Sequence, residues 1–275
     1  MLTNLLRIEL IKILNYKAVK VLLGLHLFFL VMVVFLSSRI SIELPGFNPR
    51  NLLAFPYVWQ TVTWMASWFN ILLVFTVIIL TCNEFAYKTF RQHIFNGLNR
   101  DQLLVGKGSV ILMLAIYAFL VVFFTGALFG LIYSSDTGYS DLFGSFHILF
   151  VYFLQTLAYM VLGLVIAILM KGTGLSIVMF FLLRILIEPV FRSFFEPAFR
   201  QFFPLKAISS LTPVPEFLSI SSESQITTDG ADMLTFESMG LFTHQLPLST
   251  NIVLVAGYTL LFIVLIRTYL HRINL

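Results

Sequence analysis

Four stretches of this chain, 51–83, 108–135, 142–170 and 238–266, contain no Asp, Glu, Lys or Arg. Each is longer than the roughly 20 residues an α-helix needs to cross a hydrocarbon layer. In such a layer every backbone N–H and C=O must be satisfied internally, so a spanning chain is either helical or a closed barrel. Barrel strands alternate apolar and polar residues, whereas these runs are continuous. They predict an all-α, polytopic membrane protein. Composition points the same way: 59% of residues are apolar and 11% charged, against about a quarter charged in a soluble domain. The single cysteine, Cys82, rules out an intrachain disulfide and a thiolate metal cluster within one chain.

Six spans are expected, at about 19–37, 61–82, 108–132, 146–170, 175–191 and 249–266. Tyr57, Trp59, Trp64 and Trp68 at the start of the second suit a headgroup boundary. Lys171-Gly172-Thr173-Gly174 makes a tight turn between the fourth and fifth. The first apolar run follows Arg7, Lys12, Lys17 and Lys20. It is too long for a signal-peptide core and lacks a small-residue cleavage site, so it reads as a retained span.

Charge sets the expected orientation. With both termini cytoplasmic, the inner segments carry 11 basic residues (Arg7, Lys12, Lys17, Lys20, Lys88, Arg91, Arg100, Lys107, Lys171, Arg267, Arg272) against three acids. The outer segments carry five basic residues against nine acids. This obeys the positive-inside bias, so the formal net charge of +4 reports topology and gives no reason to invoke nucleic acid.

The chain thus reads as one transmembrane domain, 1–275, with three non-spanning parts. Residues 1–18 form a weakly amphipathic interfacial helix, with Leu2, Leu6, Leu10, Ile13 and Leu14 on one side. Residues 192–248 form the long outer segment. Its first part is rich in phenylalanine between Pro197 and Pro204, which predicts short helices at or dipping into the outer leaflet; its second part, 219–230, is polar and loop-like. Residues 83–107 form the longest cytoplasmic loop. Phe85, Thr89, Phe90 and Ile94 share helical spacing, predicting a short helix from about Asn83 to Asn96 that Gly97 stops. A second helix starts near Asn99, whose side chain can cap it, and leads into the third span.

The residues of that loop resemble the first cytoplasmic loop of type-2 ABC transporter permeases. Glu84 closes the second span; Thr89 and Arg91 follow, then Gly97, Asn99-Arg100 and Gly106-Lys107 opening the third. The basic N-terminal helix, six spans, long outer segment before the last span and basic C-terminus also match. The chain departs from the family at Lys88, where Gly is frequent, and at Asn99, where Ser is frequent. The resemblance implies that Glu84, Lys88, Thr89, Arg91, Gly97, Arg100 and Lys107 belong to a coupling helix that docks on a separate ATPase. It further implies a second permease subunit, as homo- or heterodimer, export, and residence in the bacterial cytoplasmic membrane. ATP and Mg would be bound by the partner ATPase. This chain shows no P-loop: Gly106-Lys107 supplies the end of the motif, but Asp101 stands where its first glycine belongs. No cofactor, metal site or catalytic residue is expected within the chain.

Arg184 and Glu188 are the other candidates, four residues apart in the fifth span and thus on one helix face. A charge at the bilayer centre costs about 2.5–3.5 kcal/mol on insertion scales. They form either a substrate-path or interface pair, or two residues reaching the outer interface beside Pro189. His26 and His147 have no partner ligands at metal spacing and read as packed or interfacial. Thr61, Thr63, Ser67, Asn70 and Thr76 suggest contacts between helices. An intramembrane enzyme would need clustered acids or a Ser/His pair within the spans. A non-catalytic scaffold or stand-alone channel is opposed by the loop alone. Aromatic outer segments around an apolar bundle suit amphipathic cargo, although aromatic belts explain the same residues.

Overall fold

A computed structural model describes residues 2–39, 52–95, 97–134, 142–212 and 246–272. Among them all regular structure is helical. The helices are α1 (Leu2–Asn15), α2 (Lys17–Arg39), α3 (Val58–Ala86), α4 (Thr89–Phe95), α5 (Arg100–Tyr133), α6 (His147–Met170), α7 (Thr173–Ser193), α8 (Pro197–Arg200), α9 (Pro204–Ser209) and α10 (Leu248–Arg272). Six of them, α2, α3, α5, α6, α7 and α10, are long and apolar enough to cross a membrane. The chain is therefore a multi-pass helical membrane protein, and all six expected spans are present.

The centre of the bundle is α3 against α6. In their most apolar windows 56% and 67% of residues are buried, against 22% or less in α2, α7 and α10. Gly163 explains how closely the two central helices approach. A Cβ there would lie 2.6 Å from Val74 Cγ1, so only glycine leaves room for the valine. One apolar cluster joins α2, α3, α5 and α6 through Leu30, Val62, Leu114, Tyr152 and Leu164. A second joins α3, α6, α7, α9 and α10 through Ile78, Tyr159, Phe180, Ile208 and Val255.

The third span differs from its expected start. α5 begins at Arg100, eight residues ahead of its uncharged run, and has 34 residues. At 1.5 Å per residue it is about 51 Å long, against a hydrocarbon core of about 30 Å. Its first turns therefore stand clear of the apolar layer, and the second loop helix and the third span are one rigid rod.

α1 also departs from expectation. Its inward residues are Glu9 and Ile13, at 5% and 7% exposure, whereas Leu10 and Leu14 are exposed along with Ile8 and Ile11. A carboxylate is turned inward because lysines await it there. The apolar residues left outside suit a helix lying in the membrane interface.

In residues 192–212 the short helices are present as α8 and α9, each with proline in its first turn. Phe194, Phe195, Phe199 and Phe202 stay exposed, while Leu205, Ala207, Ile208 and Leu211 are buried. The part that enters the bundle is thus α9 and the turn after it. The polar stretch 219–230 lies outside the described residues.

Candidate functional site

α1, the end of α3, α4, the start of α5 and the end of α10 meet at one end of the bundle. The expected loop helix from Asn83 is in fact two pieces. α3 continues to Ala86; Lys88 adopts a left-handed backbone (φ 55°) and α4 starts at Thr89. The break lies there because Glu84 is held inside, on the last turn of α3. Phe85 and Phe90 stack with ring centroids 4.5 Å apart across the corner. Thr89 Oγ1 donates to the Glu84 carbonyl at 3.2 Å. α4 stops before Gly97, whose φ of 88° is the left-handed cap that glycine supplies without strain. Asn99 then occupies the N-cap of α5, its backbone N–H donating to Gln102 Oε1 at 2.9 Å.

Glu84 and Lys107 face each other. Lys107 Nζ donates to Glu84 Oε1 at 2.6 Å, and Lys12 Nζ donates to the same oxygen at 2.7 Å. Glu9 closes the network, 3.0 Å from Lys12 and 3.5 Å from Lys107. Glu9, Glu84 and Lys107 are buried and Lys12 is half-buried. Burial draws the Lys12 ammonium down, but the Glu84 and Glu9 carboxylates outweigh it and hold it above its ordinary range. Two acids and two lysines thus neutralise one another and tie α1, α3 and α5 together. Lys107 also lies 5.8 Å from the centre of the Phe90 ring, and Lys171 lies 6.0 Å from that of Phe85, within cation–π range.

The outward side of this corner carries Tyr87 (68% exposed), Lys88, Gln92 and Phe95 (88% exposed). Arg91 is on α4, with its side chain outside the described residues. Arg100 turns the other way. Its Nη1 donates to the Leu270 and His271 carbonyls at 2.7 and 2.5 Å, satisfying two free acceptors at the end of α10. Asp101 accepts a two-point contact from Arg267 (2.9 and 3.2 Å) and lies 3.2 Å from His271.

The sequence-predicted residues thus separate into three sets. Glu84, Thr89 and Lys107 hold the corner from within; Lys88 and α4 face outward; Arg100 clamps α10. Glu9, Lys12, Asp101 and Arg267 complete the site, although the resemblance marks none of them. The available signal is that Glu9, Glu84 and Asp101 are the three acids among the 14 charged residues of the segments expected to be cytoplasmic.

Arg184 and Glu188 come together less than their spacing predicts. Arg184 lies within a π-helical turn, Leu183–Ile187, that ends just before Glu188 and breaks the regular four-residue register. Glu188 instead accepts the backbone amides of Leu205 (2.9 Å) and Lys206 (2.7 Å) at the start of α9, where free donors and the helix dipole favour a carboxylate. Arg184 lies 5.3 Å above the Tyr159 ring. It lines a recess of about 190 Å³ together with Trp64, Ser67, Trp68, Gln155, Tyr159, Ser209 and Thr212.

Of Thr61, Thr63, Ser67, Asn70 and Thr76, Asn70 bonds another helix: its Oδ1 accepts the Tyr152 and Thr156 hydroxyls at 3.0 and 3.2 Å. Thr61, Thr63, Ser67 and Thr76 donate to carbonyls one turn back on their own helix, the local alternative open to hydroxyls in apolar surroundings. His26 is buried and packs beside Tyr117, with ring centroids 5.7 Å apart.

Compared with known proteins, the chain matches no family model and no curated protein.

Proposed function

We propose that this chain is the membrane-spanning permease subunit of an ABC-type exporter, driven by a separate cytoplasmic ATPase. The observation that carries this reading is the corner at α4. A seven-residue helix is held by a tight turn to α3 and by Gly97 to α5, both long membrane helices. Ring stacking and a buried ion network stiffen it from behind, and its outward side offers Tyr87, Lys88, Gln92 and Phe95. A push on such a helix is passed directly to two spans. A solvated connecting loop would need neither a buried Glu84 nor the clamp on α10.

In this reading both termini and α4 are cytoplasmic, as the positive-inside bias requires. ATP and Mg bind the partner, which docks on α4. A second permease subunit completes the assembly, and its natural contact surface is the sparsely buried outer helices. The reaction in the partner is coupled to movement of α3 and α5 relative to α7 and α10.

The test is co-purification. The intact chain, tagged and extracted from its native membrane, is expected to bring down a P-loop ATPase whose hydrolysis rate changes when the permease is present. Folded chain without such a partner would overturn the reading. Phe95→Asp, on the exposed side of α4, is expected to lower transport-linked hydrolysis about tenfold or more, as losing an interface anchor worth at least 1.4 kcal/mol would. Membrane insertion should be unchanged. Normal coupling in that variant would contradict docking through α4. Reversal of charge at Glu84 is a poorer probe, because that side chain supports the fold from inside.

A further inference from the structure

The Arg184 recess has an unusual balance of charge. Arg184 occupies the middle of a membrane-spanning helix, and the ion pairs among the described residues do not include it. Its Nη1 is buried without a hydrogen-bond partner, and its only described contact is the Tyr159 ring. The nearest acid in sequence, Glu188, is committed to the α9 amides. Gln155 Nε2 is spent on the Ile208 carbonyl and Thr212 Oγ1, and its Oε1 is a second buried atom of the lining without a partner. Arg184 itself belongs to the π-turn Leu183–Ile187, a feature that recurs at functional sites.

We propose that this recess binds the anionic headgroup of an amphiphile, a phosphate or carboxylate attached to a hydrocarbon tail. A guanidinium presents planar, paired donors that match such oxyanions. The size agrees. At about 30 Å³ per water, the ≈ 190 Å³ recess holds the equivalent of about six waters. That suits a small oxyanion group and falls below the roughly 300–1,000 Å³ of pockets for whole drug-sized ligands. The remainder of the ligand must lie outside, and the rim provides for it. Trp68, which lines the recess, is 63% exposed, and Ile185 and Leu186, next to Arg184 in the chain, are 66% and 54% exposed, so apolar surface is available to a tail. As a binding site the recess stands on this geometry alone; as the place where cargo is taken up it rests on the permease reading.

Two of the chain's three tryptophans, Trp64 and Trp68, line the recess, so fluorescence can report occupancy. The intact chain in maltoside micelles is titrated with phosphatidylglycerol carrying brominated tails, with phosphatidylcholine carrying the same tails, and with inorganic phosphate. Phosphatidylglycerol is expected to quench at about tenfold lower concentration than phosphatidylcholine, and Arg184→Gln to abolish that difference, a loss of the size a single charged contact carries. Arg39→Gln, at the exposed end of α2, should retain it. Equal quenching of the wild-type chain by the two lipids would overturn the proposal without any variant. So would retained preference in Arg184→Gln. Inorganic phosphate competing as well as the lipid would overturn the amphiphile and leave a site for small anions. The result is independent of the ATPase: selective binding without a co-purifying ATPase would sink the permease reading alone, and an ATPase partner without selective binding would sink this inference alone.

Discussion

Glu84 receives two lysine ammonium groups while buried from solvent. Its replacement by Gln would leave Lys107 and Lys12 sharing Glu9. Removing one member of a buried ion network costs about 3–5 kcal/mol because the remaining charge is left uncompensated. Glu84→Gln should therefore lower the unfolding midpoint in detergent clearly, and Lys107→Met in the Glu84→Gln background should recover part of the loss. The pH dependence follows from Lys12, whose folded pKa lies above its ordinary 10.5. Its contribution is complete below 10.5 and disappears as pH rises through the folded value. Unfolding measured between neutral pH and pH 11 should show the wild type losing more stability than Lys12→Met at the alkaline end. Packing makes a separate prediction. Gly163→Ala places a methyl group 2.6 Å from Val74 Cγ1 and should destabilise by about 1–3 kcal/mol, partly relieved by Val74→Ala. At this scale the sequence was uneven. A glutamate ending a long apolar run announces itself, because a carboxylate is costly near lipid. Which lysines answer it was not readable, since Lys12 and Glu84 are 72 residues apart.

α4 and the middle of α7 are where elements depart from simple periodicity. The amphipathic spacing of Phe85, Phe90 and Ile94 led to one helix from Asn83. The chain instead breaks at Lys88, because Phe85 belongs to α3 and meets Phe90 by folding back on it. Sequence periodicity cannot distinguish a continuous helix from two that stack at a corner. In α7 the π-turn adds a residue to one turn, and no composition signal marks it. The carboxylate that follows it is testable by substitution. Glu188→Ala should leave the Leu205 and Lys206 amides without their acceptor. Limited proteolysis should then cut 194–212 faster than in the wild type, with α3 and α6 still protected. Unchanged protection of that segment would mean Glu188 does not hold it. Gly97 was legible in advance, because a left-handed cap calls for glycine whatever surrounds it.

For the whole molecule, the proposed orientation can be tested directly. Cys82 is buried, so a cysteine introduced elsewhere can be labelled selectively. Lys88→Cys should react with a membrane-impermeant maleimide only in inside-out vesicles, and Phe194→Cys, at an 81% exposed position, only in intact cells. The reverse pattern would invert the topology and remove the docking surface from the cytoplasm. The peripheral position of α2, α7 and α10 leaves broad apolar faces for lipid or a second subunit, whereas α3 and α6 are enclosed.

The sequence by itself determined the solvent and the number of spans. Those follow from runs of residues too apolar for water and from backbone groups that must be satisfied within each run, both local properties. Tertiary structure alone decided which charges meet. It set Glu9 and Lys12 against Glu84 and Lys107, gave Arg100 to the end of α10, and parted Arg184 from Glu188. Such pairings depend on distances between segments far apart in the chain, where electrostatics acts through space and sequence spacing carries no record of it.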